Sequence, residues 1–193
     1  MKRTGVIDLG VGNFANVCRS LDAKMIYSPY EINDYERIVL PGVGSFDAIG
    51  DALETYREPI HQFIKSGRPF LGICLGMQLL FESSEEGKNR GLSIFPGKAI
   101  KFKGVQTPHM GWNGVEFKSD STMKSIGKKP YFYFVHSYYI PLTGEDHEFG
   151  ISEHVGETSV RFCCAVKRDN VLGVQFHPEK SGEVGKLFLE SEF

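Results

Sequence analysis

Phe70-Leu71-Gly72-Ile73-Cys74-Leu75-Gly76 is the stretch on which the reading of this chain turns. Phe70–Ile73 is a short apolar run with the length and residue types of a buried strand, and the residues after Cys74 open a helix. Strand, tight turn and helix in that order make the context of a nucleophile elbow. At such a turn the backbone of the nucleophile is strained, and glycines two residues to either side let strand and helix cross without a clash. Cys74 is therefore expected at the carboxyl edge of a sheet and at a helix N-terminus, whose partial positive charge favours thiolate. The alternative, a small buried hydrophobe, is the ordinary fate of a cysteine. The paired glycines set Cys74 apart from Cys18, Cys163 and Cys164, which keep that alternative.

Working outward, Thr4–Asp8 is β-like, and Phe14, Val17, Cys18 and Leu21 then repeat at helical spacing. Arg37–Leu40 reads as a second buried strand closed by Pro41-Gly42, and Ile60, Phe63 and Ile64 mark a helix that Gly67 ends. Strands alternating with helices predict an α/β fold of three layers with a mostly parallel central sheet. Ligands in such folds sit at the carboxyl ends of the strands. The second half changes character. Ala99–Phe102, Gly114–Phe117, Tyr131–Ile140, and Phe162–Val166 joined to Val171–Phe176 predict antiparallel hairpins added to the sheet, and Val184, Leu187 and Phe188 a closing helix.

Val174-Gln-Phe-His177-Pro-Glu179 ends the last strand with His and Glu two residues apart, hence on the same side. A carboxylate so placed can hold an imidazole's tautomer and orientation, and Pro178 stops the ladder where a site can form. Thiol, imidazole and carboxylate together suit nucleophilic acyl transfer. Among the six histidines only His177 has this arrangement; His61, His147 and His154 read as surface or satisfied core.

The 193 residues carry 22 basic and 24 acidic side chains, a net charge of −2, and no tract divides them. That predicts one folded domain over 1–193 and leaves no electrostatic footprint for nucleic acid or an anionic membrane. No run is apolar and long enough for a signal peptide or a membrane span, so a cytoplasmic location is expected. The four cysteines include no C-x-x-C pair, which predicts reduced thiols rather than disulfides. No metal and no cofactor are expected.

Gly72-Ile-Cys74-Leu-Gly-Met-Gln78, followed much later by His177-Pro-Glu179, resembles the class I glutamine amidotransferases, whose triad runs Cys, His, Glu in chain order. Their fold is flavodoxin-like. Pro41-Gly-Val-Gly44, His109-Met-Gly-Trp-Asn113, Phe134-Val-His-Ser-Tyr138 and His177-Pro-Glu-Lys-Ser181 are similar to the branch serving as glutaminase subunits of imidazole glycerol phosphate synthase. The resemblance spans nearly the whole chain. It implies hydrolysis of L-glutamine through a cysteine thioester, and delivery of ammonia to a cyclase subunit, a (β/α)₈ barrel, in a heterodimer of histidine biosynthesis. It implies an oxyanion hole from Leu75 and the Val43-Gly44 region, and glutamine contacts from Gly42, Gln78, Glu86, Ser137 and Tyr138. It places Asn13, Trp112, Tyr133 and Lys180 against the cyclase. The plain alternatives are a solvated charge for Glu86 and Lys180 and ordinary packing for Trp112 and Tyr133.

Two departures are mild: leucine at Leu9, and Glu153-His154-Val155 in place of a tyrosine-containing segment. They leave open a paralogue that supplies ammonia to a nucleotide-sugar or surface-polysaccharide enzyme. Three rivals remain. Gly10-Val-Gly12-Asn-Phe-Ala15, with Glu31 roughly 20 residues on, fits a dinucleotide-binding fingerprint. The same triad would also serve a free-standing cysteine hydrolase, and the same fold a non-catalytic binding module.

Overall fold

A computed structural model of the chain describes residues 3–10, 14–42, 44–118, 121–125 and 129–193. The first half runs β1 (Thr4–Ile7), α1 (Phe14–Leu21), β2 (Lys24–Ile26), β3 (Arg37–Gly42), α2 (Gly50–Lys65), β4 (Phe70–Cys74) and the single turn α3 (Leu75–Gln78). The second half adds β5 (Ser83–Ser84), β6 (Lys98–Lys101), β7 (His109–Gly114), β8 (Glu116–Phe117), β9 (Tyr131–His136), β10 (Tyr138–Pro141), β11 (Glu148–Val155), β12 (Ser159–Arg168), β13 (Val171–Val174) and α4 (Gly182–Glu192).

The main sheet has the order β2-β1-β3-β4-β13-β12-β10-β6-β5, with β11 and β8 attached beside β12. Pairing is parallel from β2 through β13 and antiparallel from β13 to β6. Side chains alternate across this sheet, and the two faces bury two cores. Ile7, Ile38, Leu40 and Phe70 face α2, where Leu53, Tyr56, Ile60 and Phe63 line the inner stripe. Val6, Val39, Leu71 and Ile73 face Val17 of α1, Phe188 of α4 and Phe132 and Phe134 of β9. Cys163 and Cys164 fall into opposite cores, as neighbours on one strand must. The α/β fold with a mostly parallel sheet and antiparallel additions is therefore the one the sequence predicts.

Several boundaries differ from expectation. Tyr131–Ile140 is not one strand of the main sheet: it breaks at Ser137, and β9 leaves to pair with β7 in a separate two-stranded sheet. Phe132 and Phe134 point into the second core while Tyr131 is exposed, so burial of one edge of the alternation pulls β9 onto that face. Gly114–Phe117 is likewise the last residue of β7 and the whole of β8. In α4 the inward residues are Gly185, Phe188 and Leu189, whereas Leu187 is 40% exposed. The eight-residue β11 carries Glu148, Glu153 and His154 and had no apolar run to announce it. Among the described residues no helix is long and apolar enough to cross a membrane.

Candidate active site

β4 delivers Cys74 to the carboxyl edge of the sheet, next to Gly42 at the end of β3. Cys74 has φ +56° and ψ −109°, a conformation that costs a non-glycine residue of order 1–3 kcal/mol. The glycines make that geometry possible. A methyl on Gly72 would lie 2.6 Å from the Gly76 carbonyl oxygen, and one on Gly76 would collide with the Leu40 carbonyl oxygen. A side chain on Gly42 would meet Leu75 Cβ at 2.9 Å. Gly42 thus packs against the elbow and spaces it.

Cys74 opens into a pocket of about 170 Å³ lined by Gly44, Leu75, Gln78, Glu86, Val135, His136, Ser137 and Tyr138. Val43 and Asn13 lie outside the described residues, as does Gly12 of the dinucleotide-like motif. Glu86 accepts the Phe46 N–H at 2.8 Å; burial raises its pKa, against the Phe46 hydrogen bond and with a smaller push from Asp47. It lines the pocket, half-buried. Gln78 Nε2 donates to the Tyr138 carbonyl at 3.0 Å and to Gln175 Oε1 at 2.9 Å.

Beyond β13 the chain enters a short turn, Pro178–Lys180, that places His177 and Glu179 side by side, each with a side chain 2% exposed. His177 Nδ1–H donates to Glu179 Oε1 at 2.8 Å. His177 Nε2 is buried without a well-formed hydrogen bond. Burial alone would lower the ring's pKa, but the Cys74 sulfur and the Glu179 carboxylate outweigh it and raise the value to about 10. The sulfur and the carboxylate thus favour the charged form of the ring. Burial pushes the Cys163 thiol up to about 12 and also raises those of Cys164 and Cys18. Such an arrangement has the groups that nucleophilic acyl transfer needs: a sulfur, an imidazole beside it, and a carboxylate bonded to the ring.

β9 passes over the site. The His177 N–H donates to the Tyr133 carbonyl at 2.8 Å, and the Val135 carbonyl oxygen lies 3.8 Å from Cys74 Sγ. On the outer side, Trp112 packs edge-on against Tyr133 with ring centroids 6.3 Å apart, and Lys180 Nζ lies 5.9 Å above the Tyr133 ring. These three form one patch, extended by the exposed Met110 and Tyr131.

The sequence reading missed Gln175, which is fully buried with Nε2 3.6 Å from Cys74 Sγ. Its signal was present, since Gln175 stands two residues before His177 on the same side of the chain. Also missed was a histidine cluster. His109 Nδ1 meets His136 Nε2 at 3.0 Å, His136 Nδ1 meets the Tyr138 carbonyl at 2.7 Å, and His154 stacks on His109 at 4.2 Å. Burial, then the neighbouring histidine, lowers His136 to about 3 and His109 to about 4, so both rings are neutral.

The chain belongs to the family described as "Glutamine amidotransferase class-I", which it matches over residues 6–193. Solved structures share the fold: one described as "Crystal structure of glutamine amidotransferase" superposes with a TM-score of 0.74 at 18% identity, covering 97% of both chains. The glutaminase domain of Trypanosoma brucei CTPS does so with 0.66 at 15%, covering 99% of this chain and 93% of that one. Within the class the chain falls among proteins named imidazole glycerol phosphate synthase subunit HisH. That of Thermococcus kodakarensis is 49% identical over 189 residues, 96% of each chain. That of Pyrococcus furiosus is 45% identical over 193 residues, 99% of this chain and 98% of the relative.

Proposed function

We propose that this chain is the glutaminase subunit of imidazole glycerol phosphate synthase, in histidine biosynthesis. The observation that carries it is the pairing of the strained Cys74 elbow with the buried His177–Glu179 couple at one pocket, in a chain of the HisH kind. The Cys74 thiolate attacks the glutamine side-chain carbonyl, and backbone N–H groups at Leu75 and the 43–44 loop receive the oxyanion, each such donor accounting for ~3 kcal/mol. The C–N bond breaks as imidazolium His177 protonates the departing ammonia. Water, deprotonated by the now neutral His177, then cleaves the γ-glutamyl thioester to glutamate and frees the sulfur.

The substrate's α-ammonium is held by Glu86 and Gln78, and its α-carboxylate by the backbone at Ser137 and Tyr138, because an ammonium needs acceptors and a carboxylate needs N–H donors. The partner is a cyclase with a (β/α)₈ barrel, docked on Trp112, Tyr133 and Lys180. Tyr133 suits that place: its ring faces outward while its carbonyl binds the His177 N–H, so docking and catalysis share one strand.

The test is steady-state glutamate release by the chain alone, with the cyclase, and with cyclase plus its nucleotide substrate. The proposal requires stimulation at each addition. Equal rates in all three would indicate a free-standing hydrolase, and stimulation by the cyclase without response to its nucleotide would indicate another ammonia acceptor.

A further inference from the structure

Gln175 spans the space between Gln78 and the Cys74 sulfur, with Oε1 toward the first and Nε2 toward the second. A primary amide can be turned over, so its direction must be fixed by something that cannot. The Tyr138 main-chain carbonyl is such a group, because it only accepts. Gln78 must therefore present its nitrogen there, at 3.0 Å. The same nitrogen meets Gln175, at 2.9 Å, so Gln175 must offer its oxygen. Its NH₂ is then left facing Sγ. The starting carbonyl is itself held: neutral His136 donates to it from Nδ1 at 2.7 Å.

We propose that Gln175 is a catalytic residue, whose side-chain N–H donates to the Cys74 thiolate in the resting enzyme and again to the sulfur expelled from the thioester. The proposal rests on Cys74 being the nucleophile. Hydrogen bonds to a charged acceptor are about twice as strong as neutral ones, and a thiolate offers no proton of its own, so a buried donor aimed at it favours the anion. In deacylation a C–O bond to water forms, the C–S bond breaks with its electron pair returning to sulfur, and the water's proton goes to His177. The Gln175 N–H meets that returning charge. The relay also commits both hydrogens of Gln78, leaving its oxygen for the substrate ammonium. A single train of polar groups thus links the glutamine-binding residue to the nucleophile.

The test compares iodoacetamide labelling of Cys74, by peptide mapping, in the parent protein and in Gln175→Met, at neutral and at strongly alkaline pH. Methionine keeps the volume and removes the donor. The proposal requires Cys74 in the variant to react about tenfold more slowly at neutral pH. It also requires that deficit to vanish in alkali, where hydroxide ionises both thiols and the less stabilised thiolate of the variant is no worse a nucleophile. Equal rates at neutral pH would overturn it, and so would one constant factor at every pH, which signals altered access. A parent in which Cys74 reacts no faster than Cys18 would overturn the nucleophile assignment beneath it. If the variant does not fold, NMR of the Gln175 side-chain amide in the parent decides. A downfield Nε2 proton that moves in Cys74→Ala supports the bond, and an unmoved one overturns it.

Discussion

His177 Nδ1 and Glu179 Oε1 meet at 2.8 Å across Pro178, with both side chains 2% exposed. So short a loop leaves the ring few orientations, and the carboxylate chooses among them. Nδ1–H is bonded, so Nε2 faces the sulfur. The folded-state pKa, about 10, lies above the ordinary 6.5. The charged ring therefore stabilises the fold fully below pH 6.5, and that contribution is lost as pH rises through about 10. Glu179→Gln should lower the ring's pKa, and the alkaline limb of glutaminase activity should move to lower pH with it. NMR titration of His177 alongside the rate profile checks both; a ring still titrating near 10 in the variant would remove the carboxylate from the account.

Glu86 gives the opposite limb. Burial raises its pKa, so it gains a proton at higher pH than an ordinary carboxylate and then no longer holds an ammonium. The KM for glutamine should rise as the solution is acidified while kcat changes less. Glu86→Gln should raise KM roughly 10-fold or more at neutral pH, the cost of losing one charge-assisted hydrogen bond. An unchanged KM would return Glu86 to a structural role.

The crossing of β4 and α3 has no room for a side chain. Gly76→Ala drives a methyl into the Leu40 carbonyl and should destabilise the protein by about 1–3 kcal/mol, read as a fall in Tm. Gly144→Ala is the control: there the added methyl meets nothing, and the cost is only that of φ +80°. If the two variants melt together, tight packing at the elbow is not what selects glycine.

The strand-turn-helix at Cys74 and the His-x-Glu ending were legible because each is a local pattern: a few consecutive residues contain the whole geometric requirement. The α/β alternation was legible for the same reason, since β3, β4 and α2 carry long apolar signals. What lay hidden depends on partners far away in sequence. β9 leaves the main sheet because Phe132 and Phe134 find Phe176 and Phe188, more than forty residues on. β11, half polar, is held by its ladder to β12 rather than by any periodicity of its own. Gln175 shares a side of the chain with His177, but what its amide meets is set by Gln78 and Cys74, about a hundred residues away.

Trp112 is 56% exposed and packs only edge-on against Tyr133. A large aromatic left open, next to a tyrosine ring that carries Lys180 above it, suits the centre of a docking patch. Trp112→Ala should weaken binding to the cyclase by about 2 kcal/mol, roughly 30-fold in Kd, without altering the protein's own thermal unfolding. Calorimetric titration reads the first and a melting curve the second. Unchanged affinity would put the interface elsewhere.

The central claim is that glutamine's γ-carbonyl is transferred to Cys74. The direct measurement is mass spectrometry of the chain, complexed with its cyclase and acid-quenched during turnover of glutamine. A γ-glutamyl group should appear on the peptide bearing Cys74. Cys74→Ala should show no adduct and no glutamine-dependent synthesis, yet should still make product from ammonium salts. An adduct on Cys18, Cys163 or Cys164, or full glutamine-dependent turnover by Cys74→Ala, would contradict the account.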